Sequence, residues 1–135
     1  MNKRNLKLDS YGISKARYTE LRGFCEQYPE WKQELENQIY MRSMQVSDMP
    51  KAHNSNADNT SEMAIRLSTI ISKCKIIEET ATEADYSLSK YIIRNVCYGD
   101  SPTKLITKME MPCELNAFYD ARRYFYYLLN KRRKN

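Results

Sequence analysis

The stretch Ser101-Pro102-Thr103-Lys104-Leu105-Ile106-Thr107-Lys108-Met109-Glu110-Met111-Pro112-Cys113-Glu114-Leu115-Asn116-Ala117-Phe118-Tyr119 decides the reading of the fold. Ser101 reads as a helix cap, and Pro102 suits the first helical position, where its missing N–H leaves no bond unmade. Leu105, Ile106 and Met109 then face inward, and Lys104 and Lys108 stack on one side at i, i+4. Glu110-Met111-Pro112 breaks the pattern. A longer helix follows, with Phe118, Ala121, Phe125 and Leu128 as its inward positions. A short helix (about 102–109), a turn and a longer helix (about 113–131), preceded by another helix, give the order of a tri-helical helix-turn-helix.

Working back from there, Asn59 with Glu62 reads as a capping box. Met63, Leu67, Ile70, Ile71, Cys74 and Ile77 follow at helical spacing and predict an amphipathic helix to about Ala81. A second cap at Thr82 predicts a helix with Leu88, Tyr91, Ile92 and Val96 inward, stopped by Gly99. Nearer the amino end, Ser14 caps a helix marked by Tyr18, Leu21, Cys25 and Tyr28, and Pro29 ends it or starts the next. Trp31, Leu35 and Ile39 mark that next helix, predicting an antiparallel pair with Phe24, Tyr28 and Trp31 packed together. The expected organisation is all-α: a helical hairpin over residues 1–46, a flexible linker over 47–59, and a helical domain over 60–135 ending in the helix-turn-helix.

Composition excludes much chemistry. Three glycines, far apart at Gly12, Gly23 and Gly99, cannot build a phosphate-cradling loop. One histidine, His53, sits in a polar run and reads as a solvated loop side chain. Cys25, Cys74, Cys97 and Cys113 have no zinc-ligand spacing and read as reduced core thiols. No metal, no cofactor and no catalysis are expected. No apolar run approaches a membrane span and no leader pattern follows Met1, so a soluble, cytoplasmic protein without a membrane partner is expected.

The charge is uneven. The chain carries +5, and Arg122, Arg123, Lys131, Arg132, Arg133 and Lys134 put six cations and no acid in the last fourteen residues. That localised basic end points to double-stranded DNA. Lys104, Lys108, Arg122, Arg123, Lys131, Arg132, Arg133 and Lys134 are the expected phosphate contacts. Asn116, Tyr119 and Arg123 are the expected base-reading groups, since Asn pairs with adenine and Arg with guanine in the major groove. Homodimerisation on a palindromic site is expected, through Tyr124, Tyr126 and Tyr127 or through the helices around Trp31.

Three segments carry a resemblance: Ala64-Ile65-Arg66, Lys73-Cys74-Lys75-Ile76-Ile77-Glu78, and Phe118-Tyr119-Asp120-Ala121-Arg122-Arg123-Tyr124-Phe125. Together they resemble prophage regulators of the RinA/ArpU type, small proteins of Gram-positive phages with a helix-turn-helix similar to sigma-factor region 4. Tyr11-Gly12-Ile13-Ser14-Lys15 and Gln27-Tyr28-Pro29-Glu30-Trp31 also look like uncharacterised clostridial phage proteins. The resemblance implies a transcriptional regulator that binds DNA upstream of phage late or packaging genes. The chain departs from that pattern at Glu114, Leu115 and Ala117, where the family usually offers Ser, Thr or basic residues. The alternative expectation is therefore a protein-interaction module on a reused helix-turn-helix scaffold, binding a host or defence protein. A third is a ring-forming assembly protein similar to a terminase small subunit.

Overall fold

The computed structural model describes residues 11–48 and 57–134, and every element among them is a helix. They are α1 (Lys15–Glu26), α2 (Tyr28–Asp48), α3 (Ala57–Ala84), α4 (Ser89–Val96), α5 (Pro102–Thr107) and α6 (Leu115–Arg132).

Several boundaries follow the chemistry read from the sequence. Ser14 caps α1, its side chain accepting from the Arg17 N–H at 3.1 Å. Ser101 caps α5 in the same way through the Lys104 N–H, with Pro102 as the first helical residue. Gly99 takes a left-handed conformation, φ 79°, just after α4, where a side chain would be strained. Pro29 is the second residue of α2, separated from α1 by Gln27 and Tyr28.

Other boundaries differ. α3 begins at Ala57 and runs unbroken to Ala84, so neither Asn59 nor Thr82 is a cap. Thr82 donates its hydroxyl to the Glu78 carbonyl, an ordinary accommodation inside a helix. The turn into α4 is made by Asp85, whose carboxylate accepts from the Leu88 N–H and the Ser87 hydroxyl. α6 opens one residue after Glu114, which occupies the cap position without a side-chain cap bond.

α3 and α6 form the centre, and their buried faces meet through Ile70, Cys74, Ile77, Ala81, Phe118, Phe125 and Leu129. α4 lies against both, and α5 lies against α4 and α6. The first helices join this same core: Ile13, Leu21, Phe24, Cys25, Tyr28 and Trp31 are buried with it. The expected division into a separate amino-terminal hairpin and a carboxy-terminal domain is therefore not how the described residues pack. Burying α1 against α6 hides more apolar surface than a two-helix unit hides alone. Phe24 and Trp31 do meet edge to face at 5.2 Å, while Tyr28 turns its ring to Tyr98.

The lengthwise partner of α2 is α3 rather than α1. Lys32 pairs with Glu78 and Glu34 with Arg66, so the two helices run antiparallel. Of the expected linker, residues 47–48 and 57–59 belong to these helices, and 49–56, with His53, lie outside the described residues.

Cys25, Cys74 and Cys97 are buried and Cys113 is half-buried, all as free thiols. The hydrogen bond with Cys25, together with burial, pushes the Cys97 thiol far above its ordinary range, so it stays protonated. Among the described residues no three His, Cys, Asp or Glu side chains converge on a metal position, and no helix is long and apolar enough to cross a membrane.

Candidate nucleic-acid interface

α4, α5 and α6 touch one another pairwise, with α5 bracing α6 from the side. The brace is apolar. Leu105 is fully buried under α6, and Met111 folds back beneath it, its N–H donating to the Leu105 carbonyl at 3.0 Å. Glu110 permits that reversal by taking φ 56°, a strained choice for a side chain that a glycine would make more easily. The turn delivers the start of α6 to the surface. Leu115, Asn116 and Ala117 are exposed, while Phe118 anchors the next position with no exposure at all.

The cations expected to hold phosphate fall into two groups. Lys108, Lys131 and Lys134 are exposed, with Lys131 lying over the Tyr127 ring at 5.0 Å. The others are engaged within the fold, although Lys104 and Arg132 are themselves exposed. Lys104 donates to Asp100 at 2.9 Å, beside Arg94, which donates to the other carboxylate oxygen at 2.7 Å. Asp100 is only 8% exposed, and these two donors, Lys104 first, hold its carboxyl below the usual range. Arg122 donates to Asn95 at 2.9 Å and lies over the Phe118 and Tyr119 rings. Arg132 donates to Thr80 at 2.6 Å and pairs with Glu83 on α3. Arg133 stacks on Phe24, 3.7 Å from the ring centre, where burial lowers its affinity for a proton.

Arg123 requires the plainest correction. Expected on the outer side of α6 as a base reader or phosphate contact, it is 6% exposed and paired with Asp120. Its Nε is buried without a hydrogen-bond partner. The helical period places position 123 away from Ala121 and Phe125, on the side it shares with half-buried Tyr119 at i−4 and buried Tyr126 at i+3, so those rings and Asp120 enclose it. Tyr119 is half-buried, and of the three expected base readers Asn116 is the exposed one.

The tyrosines expected to form a dimer surface are also largely committed. Tyr126 is buried edge-on against Tyr18 at 5.0 Å. Tyr127 is half-buried between Tyr11 and Tyr124, which leaves Tyr124 as the exposed member of the three. Trp31 is buried as well.

The sequence reading missed the groups that hold these cations. Arg17 on α1 donates to Asn130 at 2.7 Å and to the Arg133 carbonyl at 3.0 Å, tying the first helix to the last. No sequence pattern pairs residues 113 positions apart. The Asp100–Lys104 pair did carry a signal, an acid and a base at i, i+4 across a helix start. Compared with known proteins, the chain matches no family model, no curated protein and no solved structure. The likeness to RinA/ArpU-type regulators rests on its three sequence motifs alone.

Proposed function

We propose that the chain is a double-stranded-DNA-binding regulator of a phage or mobile element, and that the first turn of α6 is its reading surface. The observation that carries this reading is the exposed Leu115-Asn116-Ala117 turn, held out by the buried Leu105, Met111 and Phe118. A helix whose first turn projects from an apolar brace is what entry into a major groove requires. Asn116 is the base-reading group, and exposed Lys108, Lys131 and Lys134 are the phosphate contacts. Lys104, Tyr119 and Arg122 flank them. Arg123, Arg132 and Arg133 act within the fold rather than on DNA.

The test is fluorescence anisotropy on DNA fragments of the parent genome, over a salt series. Lys131→Ala with Lys134→Ala should reduce the salt slope by about 1 for each phosphate no longer neutralised. Asn116→Ala should cost about 1–3 kcal/mol on the preferred site and little on random DNA. No binding at low salt, in the wild type and in Glu114→Gln alike, refutes the reading.

A second reading is favoured by Glu114, an exposed acid at the start of the same helix with no cap bond to occupy it. Its charge opposes phosphate and suits a basic protein surface, such as that of a host or defence protein. Binding that resists salt and weakens in Glu114→Gln selects this alternative.

A further inference from the structure

Among the described side chains, none of residues 32–44 of α2 is buried, and none of residues 61–69 of α3. These two segments form an antiparallel arm beyond the core, and it is not a polar one. Ile39 is 66% exposed and Ile71 52%, and with Leu35 and Leu67 they line a groove of about 780 Å3 running between the helices. Two helices alone bury too little apolar surface to hold such residues in water, because tertiary packing supplies most helical stability. The arm has the form of half a four-helix bundle.

We infer that the arm is a self-association surface, and that its occupant is the same arm of a second copy of this chain.

Charge and area both point to a second copy. The chain's +5 is concentrated in its last fourteen residues, which carry six cations and no acid, so like-charge repulsion between copies is strongest at that end. Residues 35–44 and 61–70 carry only Glu36, Arg42, Glu62 and Arg66, two of each sign. Those two segments are thus balanced, and of the charges on the groove's rim Lys32 is paired with Glu78, which leaves Arg42 and Lys75 as a small positive excess for a second copy to meet. Two helices of about 10 Å diameter over roughly 20 Å present on the order of 600 Å2. That approaches the about 800 Å2 per partner of a standard stable interface, provided the partner covers the arm along its length. A two-fold copy does so, because an isologous contact matches each position with its own helix pair. This surface does not depend on the DNA reading, since it lies away from α6.

The experiment is sedimentation equilibrium and native mass spectrometry of the full chain across the micromolar range, without DNA. The wild type should dimerise. Ile39→Glu with Ile71→Glu, at exposed positions, should weaken dimerisation about a hundredfold or more while helical content is retained. Tyr86→Glu, at an 83% exposed position on the α3–α4 turn, should leave the dimer intact. Amine cross-linking should give intermolecular links at Lys32 and Lys75, which rim the groove. A monomeric wild type overturns the inference. A dimer that survives the double substitution, or intermolecular links confined to the α6 end, also overturns it.

Discussion

α6 and the arm are built from similar material and are used in opposite ways. α6 is 18 residues long and buries seven of them, including one arginine. α2 is 21 residues long and, among its described side chains, buries only Tyr28 and Trp31, although Leu35, Ile39, Tyr40, Met41 and Met44 follow in the same helix. Helix formation does not tell the two apart. What separates them is whether another element of the same chain covers the apolar face. α6 is covered by α1, α3, α4 and α5, whereas the outer part of α2 has only α3 beside it among the described residues.

That contrast can be broken most directly by truncating one side chain in each region. Phe118→Ala removes a ring with no exposure near the start of α6 and should cost about 3–5 kcal/mol in urea unfolding. A loss below about 1 kcal/mol would mean that α6 is not the core helix described.

The cations at the end of α6 sharpen the comparison next. Arg132→Ala removes a hydrogen bond to buried Thr80 and the pairing with Glu83, and should cost about 1 kcal/mol. If Arg132 were instead a free phosphate contact, stability would be unchanged and the DNA salt slope would fall.

A pH titration probes the joint between α4 and α5. Asp100 is held below the usual carboxylate range by Lys104 and Arg94, so it binds a proton less readily folded than unfolded. Its contribution is therefore present above the unfolded carboxylate value and is lost as pH falls through the lowered folded value. Asp100→Asn should lower Tm at neutral pH, and the gap from wild type should close toward acid. A constant gap would show that the carboxylate's charge is not what holds the joint.

The smallest effect is expected in the arm. Ile39→Ala should change the unfolding free energy of the monomer by no more than about 0.5 kcal/mol, because the side chain has little to lose. Measured at a concentration where copies associate, the same substitution should lower Tm, and the difference between the two conditions isolates the arm's contribution.

Much of the local structure was legible because it is set by neighbours in the chain. The caps at Ser14 and Ser101, Pro102 at the helix start and the stop at Gly99 are short-range features, set by residues close in sequence. The inward positions Leu88, Tyr91, Ile92, Val96, Phe118, Ala121, Phe125 and Leu128 follow from helical periodicity, and all are buried. The same periodicity failed at Met63 and Ile71, which repeat correctly yet stand exposed. A stripe says which side of a helix is apolar and not what will cover it.

The candidate site was legible to a smaller degree. Residue order alone placed a short helix before a longer one and put Asn116 at its outer start. The count of cations near the carboxyl end was equally plain, but their use was not. Arg122 reaches Asn95, Arg132 reaches Thr80 and Glu83, and Arg133 covers Phe24, across separations of 27, 52, 49 and 109 positions. A long flexible side chain pairs with whatever acid, carbonyl or ring the fold brings within reach. Sequence by itself therefore determined the helices, several of their ends and their apolar sides, because those are short-range properties of the backbone. Only the tertiary structure decided which apolar sides are covered and which charges are free, because both depend on partners that arrive from distant parts of the chain.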